Sequence, residues 1–134
     1  MVKLKRISPH QDMVQEYYDA LIPALRLVAR RYGYALGVHG SLKFDIDIIA
    51  APWREHCATP QSLADAILNV CKAVIGDSVV SYPTEKFLPT QMPCGRLAWS
   101  IYLVPIKDRS PYIDLSIMPV GSSDTKSKEE NLSE

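Results

Sequence analysis

Long apolar runs are missing from this chain of 134 residues. No stretch approaches the roughly 18 consecutive apolar residues of a spanning helix, and the basic start MVKLKRISPHQDM has no apolar segment behind it. Neither a transmembrane helix nor a secretory leader is expected, and a soluble cytoplasmic protein with no membrane partner is the reading. An excess of either charge is missing too. The 15 basic and 15 acidic residues cancel, so no bulk electrostatic attraction to nucleic acid or lipid is implied. Cysteine is scarce, and Cys57, Cys71 and Cys94 form no CxxC pair, which argues against a disulfide framework or a zinc site and for reduced thiols. There are no internal repeats.

What is present suits one globular domain: 47% hydrophobic residues and a length near the commonest domain size. Ser8, Pro9 and Gln11 form a helix start, with a Ser cap, Pro at the first helical position and Gln at N3. Met13, Tyr17, Leu21, Leu25 and Val28 then recur at helical spacing up to Gly33, with Pro23 expected to kink or split the helix. Residues 34–39 and 44–51 read as strands separated by Gly40-Ser41 and ended by Pro52. Thr59-Pro60 opens a second helix that stops at Gly76. Residues 79–82 read as a third strand and 83–95, with Pro83, Pro89, Pro93 and Gly95, as an irregular loop. Residues 96–104 and 112–118 read as an antiparallel hairpin. Trp53 and Trp99 are both expected to pack. The expected fold is α+β, a mixed or antiparallel five-stranded sheet with two main helices on one face. Residues 1–120 form the domain, and the polar tail 121–134 is expected to be disordered.

Against this background Asp45 and Asp47 are anomalous. Strand alternation puts both on one side, away from Ile46 and Ile48, and a carboxylate on a hydrophobic strand costs free energy unless a cation or donors meet it. Their alpha carbons lie about 6.5 Å apart, within reach of one divalent ion or a close pair. Oxygen ligands favour Mg2+ or Mn2+ over zinc. A third carboxylate, Asp114, sits in another strand whose other members are apolar or small, although Asp is depleted from strands. Gly40-Ser41 offers backbone amides and a hydroxyl suited to a phosphate. Lys43 and Arg96 are candidate phosphate-neutralising groups, while His39 reads first as a hydrogen-bonded strand residue. Arg26, Arg30 and Arg31 read as a solvated basic strip on the first helix.

The order Leu36-Gly-Val-His-Gly-Ser41, Asp45-Ile-Asp47-Ile-Ile, Ile113-Asp114-Leu115 resembles the polymerase beta-type nucleotidyltransferase superfamily. The stretch from Gly40-Ser41 to Pro52-Trp53 is also similar to compact phage and prophage proteins without assigned function. The superfamily resemblance implies metal-holding and catalytic roles for Asp45, Asp47 and Asp114, with Asp114 helping to activate the attacking hydroxyl. It implies that Gly40 and Ser41 bind the triphosphate of a nucleoside triphosphate; it does not name the acceptor. Only Leu42, Lys43 and Phe44 separate Gly40-Ser41 from Asp45, where the family usually has around ten residues including a short helix. That shortening, with the lack of a second domain, supports an alternative: a non-catalytic remnant of the fold serving as a binding module, with a homodimer as one expected form. A carboxylate-cluster nuclease is a further alternative, disfavoured because no Glu/Asp-x-Lys pattern follows the acidic pair.

Overall fold

In a computed structural model the described residues are 9–42, 45–105 and 111–120. The Ser8 cap, Lys43 and the tail 121–134 lie outside them. Helix α1 (Pro9–Arg31) runs unbroken through Pro23, so the expected split does not occur. Its apolar stripe buries Val14, Leu21, Ile22, Leu25 and Ala29. Helix α2 (Pro60–Ile75) begins where Thr59 accepts a hydrogen bond from the Ser62 amide at 3.1 Å, and it stops at Gly76. A tight turn at Tyr32-Gly33 joins α1 to the first strand. Gly33 is held at φ +93°, and a Cβ there would meet Cys57 at 2.5 Å, so glycine is required.

The strands are β1 (Tyr34–His39), β2 (Asp45–Pro52), β3 (Thr90–Gln91), β4 (Leu97–Tyr102) and β5 (Tyr112–Ile117). They form one mixed sheet in the order β1-β2-β5-β4-β3. β1–β2, β3–β4 and β4–β5 are antiparallel, and β2–β5 is parallel. Two helices and five strands make the α+β fold anticipated from the sequence, although the expected 79–82 strand is replaced. Residues 77–79 turn, and only Ser81 bridges Tyr102. The fifth strand is instead the short β3, within the segment expected to be loop. Between them, the Tyr82 and Phe87 rings pack at a tilt with centroids 5.1 Å apart and Phe87 meets Trp99 at 6.4 Å, while the Gln61 side chain donates to the Phe87 carbonyl. Aromatic packing anchors this stretch in place of a strand ladder.

The sheet has two unlike faces. Ile46, Ile48 and Ala50 of β2, Ile113, Leu115 and Ile117 of β5, and Trp99 and Ile101 of β4 form one core with both helices. The opposite face carries the alternate residues, including the three strand aspartates. All three cysteines are free. Trp99 is 2% exposed as expected, but Trp53 is 56% exposed, with the Arg54 guanidinium 5.6 Å from its ring centroid. It follows the last residue of β2 at the rim of the sheet, where there is no core to enter.

Candidate functional site

Register decides which polar residues meet. His39 lies opposite Asp47, Asp47 beside Asp114, and Asp114 opposite Ser100. Residues paired in register point to the same face, so these four form a lateral row across β1, β2, β5 and β4. One step along, Asp45, Tyr112 and Tyr102 form a second row. One step the other way, Ser116 lies between Ile49 and Ala98. The aspartates expected to act together are thus on adjacent strands, on the face of the sheet that no helix among the described residues covers. Neighbouring strands lie about 4.8 Å apart, which puts Asp47 and Asp114 side by side.

The charges in these rows act on one another. Burial disfavours the Asp47 carboxylate first, and the negative Asp45 and Asp114 add to this, so its pKa is raised above the ordinary 3.8. Asp114 is raised likewise, by burial and then by Asp45, with Arg96 and His39 opposing. The Tyr112 hydroxyl donates a hydrogen bond to Asp45, and burial together with the neighbouring carboxylates pushes its pKa up to about 12. It therefore remains a protonated donor through the physiological range. Arg96 donates to the Ser116 hydroxyl at 2.8 Å and presents its charge to Asp114.

Gly40-Ser41 joins this cluster directly. Gly40 sits at φ +88°, and a Cβ on it would lie 2.6 Å from Asp47 Oδ2, so the turn and the carboxylate are in intimate contact. Leu42 follows at φ +59°, turning its side chain back onto the core. The structure therefore brings together Asp45, Asp47, Asp114, Gly40 and Arg96. Ser41 lies in the same turn, and Lys43 is outside the described residues.

Sequence periodicity gave no reason to connect His39 or Tyr112 with the carboxylates. His39 is exposed, lies opposite Asp47, and its charge favours ionisation of both Asp47 and Asp114. The signal that could have found both residues is the pairing register of the strands, which single-strand alternation does not supply.

Carboxylate oxygens are hard donors, and half-buried acids that disfavour one another's ionisation are chemically suited to a divalent cation. Among the described residues, however, no group of three or more His, Cys, Asp or Glu side chains is drawn together as a finished ligand set. The shared face and register supply the acids; their side chains are not converged. No protein-family model, curated protein or solved structure matches the chain.

Proposed function

We propose that this protein is a divalent-metal-dependent, nucleotidyltransferase-like domain that binds a nucleoside triphosphate and transfers a nucleotidyl group. The observation that carries the reading is the parallel register pairing Asp47 with Asp114, with Asp45 on the same face and the Gly40 turn packed against Asp47. Asp45, Asp47 and Asp114 would hold Mg2+ or Mn2+, which when bound supplies charge neutralisation and alignment for phosphoryl transfer. Gly40 and Ser41 would cradle phosphate, Arg96 would offset negative charge beside Asp114, and Tyr112 fixes the Asp45 carboxylate by donating to it.

Calorimetry with MgCl2 and each of the four nucleoside triphosphates tests this. The parent protein should give metal-dependent heat with at least one of them, and the combined Asp45→Asn and Asp47→Asn variant should lose it while keeping its circular dichroism spectrum. Equal binding by parent and variant refutes the assignment.

The second reading, a non-catalytic binding module of the same fold, is favoured by one observation. The link between β1, ending at His39, and β2, starting at Asp45, leaves no room for an intervening helix. Such a module would show no metal-coupled heat in the same titration.

A further inference from the structure

A second site of different chemistry lies at the free edge of the sheet. Among the described residues β1 is the last strand on its side, and one row of its backbone groups has no described strand beside it. The phase of the β1–β2 ladder identifies those groups. Trp53 donates its amide to the Gly33 carbonyl at 3.0 Å, and Pro52, which has no amide hydrogen, lies opposite Tyr34. In an antiparallel ladder hydrogen-bonded pairs alternate, so Ala35, Gly37 and His39 bond inward to β2, while Tyr34, Leu36 and Val38 direct N–H and C=O outward.

A groove of about 560 Å³ follows this edge, lined by Tyr34, Ala35 and Leu36 of β1, by Arg26 and Arg30 of α1, and by Trp53. Among the described residues its lining holds two guanidinium groups and no carboxylate. Arg26 and Arg30 are one helical repeat apart on the exposed side of α1, with their alpha carbons separated by about 6 Å along the axis. In an added strand, alternate side chains on one face are separated by about 6.6 Å. The two spacings match.

From this geometry we propose that the β1 edge binds an extended acidic peptide segment, which adds as a sixth strand. It would pair with the outward backbone of Tyr34, Leu36 and Val38, direct carboxylates at alternating positions to Arg26 and Arg30, and lay an apolar side chain on Trp53. Charge selects this occupant over a second copy of the chain. Pairing β1 with β1 of another molecule would bring the two α1 helices side by side and set Arg26 and Arg30 against their counterparts. The inference does not rest on the carboxylate row: the Trp53 end of the groove lies about 20 Å along β2 from Asp47, and at its other end the added strand passes Val38, next to His39, without using a residue of the row.

The probe is a set of fluorescein-labelled nine-residue peptides with Glu at every second position and Val, Tyr or Ser between, titrated with the full chain at low salt. Controls are Lys-for-Glu versions, versions N-methylated at alternate amides to remove strand donors, and a single-stranded oligonucleotide of equal charge. At least one acidic peptide should bind saturably, should shield Trp53 but not buried Trp99 from acrylamide quenching, and should slow hydrogen exchange at the Tyr34, Leu36 and Val38 amides. The combined Arg26→Glu and Arg30→Glu variant, at positions exposed to solvent, should weaken binding at least tenfold with an unchanged melting temperature, and N-methylation should weaken it comparably. Absence of saturable binding by every acidic peptide overturns the proposal. So does binding that ignores the charge reversal or the N-methylation, tighter binding of the oligonucleotide, or a protein dimer that buries the same amides.

Discussion

Among the residues of the carboxylate row, Asp47 and Asp114 carry the clearest thermodynamic signature. Both are raised above 3.8, chiefly by burial and then by Asp45. The folded protein therefore holds these protons more tightly than the unfolded chain does. The contribution of these two groups to stability is greatest below the unfolded value and falls as pH rises from about 3.8 through their folded-state values. Replacing either acid by Asn removes the ionisable group and should raise the melting temperature at pH 7 by about 2–4 °C, the scale of a like-charge cross-strand repulsion of up to about 1 kcal/mol. The gain should vanish when melting is repeated below pH 3.8, where both states of the parent carry the proton. A gain independent of pH would mean that packing, not charge, limits stability there. Millimolar MgCl2 should raise the parent's melting temperature and leave the Asp47→Asn variant's unchanged.

The Gly40 turn expresses the same site as an element of structure. Gly40→Ala must place a Cβ at φ +88° and 2.6 Å from Asp47 Oδ2, combining left-handed backbone strain of about 1–2 kcal/mol with a displaced carboxylate. Chemical denaturation should show a loss of at least that size. If the Asp47 oxygen is the obstacle, part of the loss should disappear in an Asp47→Ala background, a coupling that a double-mutant cycle measures directly. Purely additive effects would assign the whole cost to backbone conformation. Both helices and four strands were legible in the sequence because each has a local signal, such as the apolar spacing of α1, Thr59-Pro60 opening α2, or the alternation around Asp45 and Asp114. The short β3 was not legible, since Thr90 and Gln91 belong to a strand only through their partners Ala98 and Leu97. The hydrophobic run at 79–82 misled for the converse reason: Val80 is buried by packing while only Ser81 finds a strand bridge. Asp residues in strands marked the site, but the grouping with His39 and Tyr112 depends on register, and Trp53 reads as core until its position at the sheet rim is known.

Over the described residues the molecule is two layers, helices against one sheet, and the two faces of that sheet differ in kind. The helix-covered face supplies stability, with Ile48, Leu115, Ile101 and Ile67 all fully buried in the common core. The other face supplies the polar row, whose acids weaken the fold they belong to. Because strand alternation sends neighbouring residues to opposite faces, a change in the core can alter stability without touching a side chain of the row. Ile67 of α2 offers the cleanest case, since it belongs to the helix layer. Ile67→Ala should cost about 2–5 kcal/mol through lost burial and the cavity left behind. Urea denaturation should register that loss in full, while a magnesium and nucleotide titration at a temperature where the variant remains folded should return the parent's affinity. The Asp45→Asn and Asp47→Asn pair should give the opposite pattern, with firmer folding and no metal-coupled binding. If instead Ile67→Ala weakens ligand affinity in proportion to its loss of stability, the two faces are coupled through the sheet, and the row depends on the packing beneath it as much as on its own side chains.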